Sequence, residues 1–409
     1  MNRQIDIIGG GPAGMMAAII TARNGCPVRL WEKNGSLGRK LLATGNGRCN
    51  FSNQSIMPEC YHGGDIKLVE RILNAFTLAD TLGFFDSLGL TCYADNKGRY
   101  FPCSNEASSM LFCLQQEMDR LGVVVKLRSE IVSIARTSQG WEIRQRGEAH
   151  HSDAVILACG GAAGPQFGAT GQGYEMASRV NHSIVSPFPA LVPIMIDGNW
   201  HHKLQGLRLD MKMTLSRKGN IFKEFLDEGL FTKYGISGPL ALKSSRLLMD
   251  GEIECHLNFL PYMKEVEISD CLKTRKEGLS SRRVRDFLTG LLSEKLGQVM
   301  VMQSGMKTDA FCHEISGVQL ERLSKNLYHW PIIIKGLRPF KEAQVTAGGV
   351  DCRQVFPESL MSKKAPGLFF CGEIMDVDGD SGGYNLQWCW SSGQVAGKAA
   401  AEFVQGVKK

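Results

Sequence analysis

The first apolar run, Ile5-Asp6-Ile7-Ile8, is short and rich in β-branched residues, which predicts a strand. A glycine-rich turn ends it, and Met15-Met16-Ala17-Ala18-Ile19-Ile20 predicts a helix. Val28-Arg29-Leu30-Trp31 predicts a second strand, closed by Glu32. Leu68–Phe84 and Glu106–Leu121 carry helical spacing, with a turn-rich polar hairpin at Tyr93–Pro102 between them. Val123–Leu127, Glu130–Ile134 and Trp141–Ile143 read as strands. Asp153–Leu157 continues into Ala158-Cys159-Gly160-Gly161 as a buried parallel strand ending in a glycine pair. After Pro189 and Pro193 the rhythm changes. Met195-Ile196, Leu209–Leu215, Ile221–Phe225 and Ile253–Phe259 are short strands with turn signals between them, the pattern of a small β-barrel. Val266–Tyr328 turns helical, Gly367–Glu373 returns to a strand, and a last helix runs to Phe403. No apolar run approaches the roughly 18 residues that a membrane-spanning helix needs.

The turn after the first strand reads Gly9-Gly10-Gly11-Pro12-Ala13-Gly14. In the order strand, GxGxxG, helix, strand, acid, each glycine has a physical task. Gly9 allows the tight turn, Gly11 lets a pyrophosphate approach the backbone, and Gly14 lets helix and strand pack closely. The helix then presents its positive end to the phosphates. Glu32, 23 residues beyond Gly9, is placed to accept hydrogen bonds from ribose hydroxyls. A carboxylate there suits an unphosphorylated ribose, so FAD or NAD fits better than NADP. The next loop, Gly38-Arg39-Lys40-Leu41-Leu42-Ala43-Thr44-Gly45-Asn46-Gly47-Arg48-Cys49-Asn50, combines three glycines, three cations and two asparagines. It is either an anion-binding nest or a solvated basic loop.

Composition sharpens this picture at three points. Glycine makes up 46 of 409 residues, well above the usual ~7%. The excess belongs where backbone turns tightly or meets a ligand. The 13 cysteines include no CxxC pair, so neither a dithiol redox centre nor a zinc ribbon is expected. Reduced thiols and the lack of a signal-peptide pattern suggest a cytoplasmic protein. A net charge of +6 permits an anionic ligand or RNA without requiring either.

The GGGPAG turn with its distal Glu, followed by GRKLLATGNGRCN, resembles the BaiN/YhiN-like family of FAD-dependent oxidoreductases, relatives of the fumarate-reductase-type flavoproteins. The resemblance continues in order along nearly the whole chain. It includes the Gly160-Gly161 segment, Phe231-Thr232-Lys233-Tyr234-Gly235-Ile236-Ser237-Gly238-Pro239, Thr346-Ala347-Gly348-Gly349-Val350, and Gly372-Glu373 leading to Asp380-Ser381-Gly382-Gly383-Tyr384-Asn385-Leu386-Gln387. The implied fold is α/β: a split Rossmann-like FAD-binding domain with an inserted β-barrel subdomain and a small helical subdomain. The expected boundaries are 1–190, 191–262 (barrel), 263–335 (helical) and 336–409. The resemblance implies FAD contacts at Gly9, Gly11, Ala13, Gly14, Glu32, Arg39, Lys40, Asn46, Asn50, Val132, Gly160, Gly372, Glu373, Gly383, Asn385 and Leu386. Val132 is expected against the adenine, and Glu373 at the ribityl hydroxyls. The Gly382-Gly383 turn is expected to offer helix N–H groups to the flavin ring. Asp376, Asp378 and Asp380 partly mimic a calcium loop, but no Glu stands at its twelfth position, so no metal is expected.

The activity implied is hydride transfer from a nicotinamide nucleotide, NAD(P)H, through FAD to a C=C bond conjugated with a carbonyl. Arg48, Tyr234 and Tyr384 are the candidate catalytic residues by chemistry and motif position. Cys49 reads better as packing. The family offers two substrates, a 3-oxo-Δ4/Δ4,6 bile acid or steroid, and uridine in large-subunit (23S) ribosomal RNA, reduced to dihydrouridine. The first, a small molecule, is slightly preferred. The basic group Lys273, Arg275, Lys276, Arg282, Arg283 and Arg285 is either a solvated helix face or an RNA contact. A flavin-bound redox sensor without turnover is the third reading.

Overall fold

The computed structural model describes residues 3–249 and 252–406. The chain divides into two compact units, residues 1–190 with 340–409, and residues 191–339.

The first unit is built on a parallel sheet of five strands: β1 (Ile5–Ile8), β2 (Val28–Trp31), β3 (Val124–Lys126), β4 (Ala154–Leu157) and β5 (Leu368–Phe370). Their order is β5-β4-β1-β2-β3, and every pairing is parallel. β1 and β4 are buried at all four positions, as strands covered on both faces must be. Helix α1 (Pro12–Arg23) follows β1 and is buried continuously from Ala13 to Thr21. The last helix, α2 (Tyr384–Gln405), crosses it at close range. A Cβ on Gly393 would stand 2.6 Å from the Ala13 carbonyl oxygen, and one on Gly397 2.7 Å from that of Ala17. The two helices therefore meet backbone to backbone, which joins the first and last segments of the chain. A three-stranded antiparallel sheet (Ile131–Thr137, Gly140–Gln145, Glu148–Ser152) lies in the same unit. Its third strand, Glu-Ala-His-His-Ser, has no apolar alternation and is silent in the sequence.

The helical spacing over Leu68–Phe84 resolves into two helices, Ile66–Ala75 and Leu78–Ser87. Thr77 breaks the run by capping the second. Its Oγ1 accepts from the Asp80 N–H at 3.2 Å, and the Asp80 carboxylate accepts from the Thr77 N–H at 2.8 Å.

The second unit holds a seven-stranded antiparallel sheet. Its order is Trp330–Ile332, Glu254–Asn258, Arg208–Arg217, Asn220–Thr232, Gly235–Ser237, Ile194–Ile196, Ile334–Leu337. The two edge strands are consecutive in the chain, with only Ile333 between them. A flat sheet of this width would hold its edges about 29 Å apart, whereas such a connection spans about 7 Å. The sheet must therefore roll up, and Ile333 closes it into a barrel. Residues 330–337 complete this barrel, although the sequence placed them in the helical insert and in the returning domain. The helices Glu265–Gly278, Glu294–Gln303 and Gly317–Tyr328 share one core with it, through Ile268, Leu272, Val299 and Leu323 against Met211, Met213 and Leu257. Short strands after a helix carry too little pattern to be separated from it by sequence. No helix among the described residues is long and apolar enough to cross a membrane.

Candidate functional site

β1 ends in the glycine turn, and the backbone there leaves no room for side chains. Gly9 has φ +113°, and a Cβ on it would lie 2.4 Å from the Ala158 carbonyl oxygen. A Cβ on Gly14 would lie 1.9 Å from the Gly9 carbonyl oxygen. Gly11 is different: nothing stands within 4 Å of its Cβ position, which faces open space. Helix α1 begins at Pro12 with no side-chain cap. The first-turn N–H groups of Ala13 and Gly14 have no acceptor within the helix, so the turn is a ready anion site.

Glu32, buried at the end of β2, organises the next layer. Its Oε2 accepts the Gly10 N–H at 2.9 Å, and its Oε1 accepts the Asn34 N–H at 2.8 Å and the Asn34 side-chain amide at 2.6 Å. Arg39 spans the mouth, donating to Asn34 Oδ1 at 2.7 Å and to the Gln166 carbonyl at 3.0 Å. Lys40 pairs with Glu373 at 2.6 Å across 333 positions of sequence. The other oxygen of Glu373 accepts the Thr346 N–H at 2.9 Å. Thr346 Oγ1 in turn accepts the N–H groups of Ala162 and Ala163, each at 2.9 Å. Four distant segments are thus tied around one cleft.

Of the residues expected at a cofactor, Gly9, Gly11, Ala13, Glu32, Arg39, Lys40, Gly160 and Glu373 line this cleft. Gly14 and Gly372 shape it from behind. Gly372 has φ +76°, and a Cβ there would stand 2.6 Å from that of Ala13. Val132 is not in the lining. It sits at the β-bulge between Ile131 and Ser133, and its neighbours Ser129, Glu130 and Ile131 line the cleft in its place. The expected adenine contact was through the strand backbone, and a bulge breaks the regular backbone at that point, which alternation in the sequence does not reveal. The sequence reading assigned no cofactor contact to Asn34, Phe167 or Gly168, which line the cleft, nor to Thr346, which ties Glu373 to Ala162 and Ala163; Thr346 carried a signal as the start of the TAGGV segment, and Ala169-Thr170 as the start of a Gly-rich run.

A second group gathers at the start of α2. The Asn50 amide, oriented to satisfy both its atoms, donates to the Ser52 carbonyl at 3.1 Å and accepts the Gly383 N–H at 3.2 Å. Asn53 donates to the Gly382 carbonyl at 2.9 Å. The Asn385 side chain is spent on its own turn, accepting the Gly379 N–H at 2.8 Å and donating to the Gly379 carbonyl at 2.7 Å. Leu386 is buried. Tyr384 lies half-buried at the first position of the helix, its carbonyl accepting the Tyr61 hydroxyl at 3.0 Å. Asn46 and Arg48 are exposed on a left-handed turn, with the Arg48 guanidinium 4.8 Å from the Phe101 ring. Cys49 is fully buried, and burial pushes its thiol up to about 12, which suits packing and not proton transfer. Burial likewise pushes the thiols of Cys159 and Cys389, both in the cleft wall, up to about 12. Tyr234 belongs to the second unit, with Arg338 stacked 4.5 Å from its ring.

Four of the six clustered cations are engaged locally. Lys273 pairs with Asp270, and Arg275 donates to the carbonyls of Phe287 and Thr289. Arg283 stacks 4.0 Å from the Phe311 ring, and Arg285 lies beside Asp286 and Asp309.

Comparison with known proteins places this architecture. The family described as HI0933-like protein Rossmann domain matches residues 3–399. A 3-dehydro-bile acid delta(4,6)-reductase of Clostridium scindens is 36% identical, over 98% of this chain and 100% of its own length. A ribosomal RNA dihydrouridine synthase of Escherichia coli is 30% identical, over 94% of this chain and 95% of its own. Among solved structures, a flavocytochrome c3 fumarate reductase in its open conformation superposes with TM-score 0.51 at 16% identity, covering 98% of this chain and 78% of that one. A 3-ketosteroid delta1-dehydrogenase from Sterolibacterium denitrificans gives TM-score 0.51 at 12% identity, over 98% and 100%. At such identities these two likenesses speak for the fold.

Proposed function

The chain belongs to the HI0933-like Rossmann family, and from that premise we propose that it is an FAD-dependent reductase of a C=C bond conjugated with a carbonyl. The proposed substrate is a 3-oxo-Δ4 or Δ4,6 bile acid or steroid, and the proposed donor is a nicotinamide nucleotide. The observation that carries the reading is the Lys40–Glu373 pair, which closes residues from both ends of the chain around the one cleft that the glycine turn and Glu32 also line. In this reading the first turn of α1 holds the pyrophosphate, with Gly11 leaving it space. Glu32 accepts the adenosine ribose hydroxyls beside its bond to Gly10. Lys40 and Glu373 hold the ribityl chain, and the Gly382-Gly383 turn presents the start of α2 to the ring. Bound FAD supplies two-electron redox chemistry at this place.

For the substrate, two facts favour a small enone. The bile acid reductase aligns over 98% of this chain at the higher identity. The cations that an RNA reading would use are largely bound to carbonyls and acids of their own subdomain. A phosphate backbone would have to compete with these partners for the same donors. The test is anaerobic turnover of the reduced FAD-loaded protein with a 3-oxo-Δ4 steroid and, separately, with unmodified ribosomal RNA. A steroid product heavier by two hydrogens supports the proposal. Dihydrouridine in the RNA with unchanged steroid would replace it with the RNA reading. Reduction of the flavin with neither product would point to a sensor.

A further inference from the structure

Between the Gly160-Gly161 pair and the helix Gln172–Arg179, residues 164–171 run along the cleft as a single layer of chain. Phe167, Gly168, Ala169 and Thr170 line the cleft on one side, while Pro165, Gln166 and Thr170 are exposed on the other. Glycine stands at both ends of the segment. Gly164 has φ +78° and Gly171 φ +73°, and a residue without Cβ absorbs a further change of backbone angles at little cost. The segment carries its own hydrogen bonds. The Phe167 N–H donates to the Gly164 carbonyl and the Gly168 N–H to the Pro165 carbonyl, both at 2.9 Å, so its turn survives a swing about the two ends.

The body of the unit holds the segment at those ends, where the Gly164 N–H donates to the Phe340 carbonyl at 3.0 Å and the Gly171 N–H to the Gly161 carbonyl at 3.1 Å. Between them, Gln166 Nε2 donates to the Lys341 carbonyl at 3.2 Å. The remaining ties cross the cleft to the loop after β2. Lys33 Nζ donates to Thr170 Oγ1 at 2.9 Å, and Arg39 to the Gln166 carbonyl at 3.0 Å. Asn34, bonded to Glu32 at 2.6 Å, lies beneath: a Cβ on Gly168 would stand 2.4 Å from its side-chain nitrogen. Both crossing bonds are exposed to water, which competes for their atoms. The Lys40–Glu373 closure is better protected, with 27% and 16% of its two side chains exposed and a charge on each partner. Of these closures, the crossing to 166–170 opens most easily.

We propose that residues 164–171 are a latched lid over the Glu32 end of the cleft, and that the dinucleotide enters and leaves through the gap it opens. This rests on the FAD reading above. Each latch bond joins one protein atom to another, so the latch resists entry and exit alike. Weakening it speeds both and leaves the affinity nearly unchanged. A residue that simply touched the cofactor would act otherwise, slowing its departure and setting its affinity.

The test measures FAD association with the cofactor-free chain and FAD dissociation into an excess of a flavin-binding trap, both by stopped-flow flavin fluorescence. Thr170→Val keeps the shape of the side chain and removes the acceptor, and Lys33→Met removes the donor. Each should speed both rates by the same factor, about three- to tenfold, the scale of one exposed hydrogen bond, with Kd within twofold of wild type. The double variant should match either single one, because the two side chains form one bond. Gly168→Ala, which wedges the lid against Asn34, should move both rates in the same direction. Unchanged rates, a faster dissociation with unchanged association, or additive effects in the double variant overturn the lid. A second readout needs no cofactor: hydrogen exchange of the 164–171 segment, followed by mass spectrometry, should quicken in Thr170→Val and Lys33→Met as the hinge N–H groups of Gly164 and Gly171 are freed. Exchange at the wild-type rate in both variants also overturns the proposal. If wild type binds no FAD, the cofactor reading fails, and hydrogen exchange alone judges the lid.

Discussion

Gly11 and Gly14 sit three residues apart in one turn, yet alanine at each should fail in opposite ways. Gly11 has φ −81° and ψ −177°, which any L-residue adopts, and its Cβ position is open. Gly11→Ala should leave the melting temperature of the cofactor-free protein within about 1 °C of wild type, or raise it slightly by restricting the unfolded chain. The space it fills is the proposed approach of a pyrophosphate to the α1 N–H groups. Loss of one charge-assisted hydrogen bond costs about 1.5–3 kcal/mol, a factor of roughly 10–100 in affinity. At Gly14 the added Cβ meets the Gly9 carbonyl oxygen at 1.9 Å and the Ala158 Cβ at 3.3 Å. Neither is a flexible tip, so α1 must retreat by roughly an ångström or more, against α2 packed on it through Gly393 and Gly397. Overpacking of this kind costs about 1–3 kcal/mol, offset by about 1 kcal/mol of helix propensity. Urea unfolding of the cofactor-free proteins and flavin-fluorescence titration of FAD measure the two quantities separately. FAD binding by Gly11→Ala at wild-type affinity would refute the assignment of this turn to phosphate.

Three further outcomes follow from the same contacts. Lys40→Met leaves Glu373 with only the Thr346 N–H; both partners of the lost pair are partly exposed, so stability drops by about 1 kcal/mol while FAD binding weakens roughly tenfold, read by melting and titration. Asp6 is fully buried and accepts Arg29 Nε and Nη2 at 2.8 Å each and Trp31 Nε1 at 2.6 Å; Asp6→Ala should cost about 3 kcal/mol in urea unfolding, and a loss under about 1 kcal/mol would contradict this account. His182 is buried against Ser362 at 2.7 Å, and burial pushes its imidazole down to about 4. The unfolded chain binds the proton first, so this contribution is whole above pH 6.5 and is lost as pH falls toward 4, up to about 3 kcal/mol. His182→Gln should flatten that part of the stability profile, measured by urea unfolding from pH 4 to 7.

By its own spacing the chain declared the dinucleotide turn, the strand and helix around it, and the acid at Glu32. These depend on neighbours within some thirty residues and on backbone angles that glycine alone adopts, as at Gly9. The returning strand and the Gly382-Gly383 turn were legible for the same reason. What tertiary structure decided was which distant groups meet. Lys40 and Glu373 are each expected at the cofactor from the sequence, but that they pair with one another is decided only by the folded sheet and its loops. Among the basic residues at 273–285, Arg275 and Arg283 find carbonyl partners in Phe287, Thr289 and Asp309 that only the folded chain brings within reach. The bulge beside Val132 exchanged it for Ile131 in the cleft lining, and Ile333 turned a row of short strands into a barrel. Tyr61 reaches the Tyr384 carbonyl only because a three-residue ladder joins chain segments more than 300 positions apart. Local conformation follows from local sequence, whereas long-range pairing follows from register and chain path, to which no single stretch of residues holds the key.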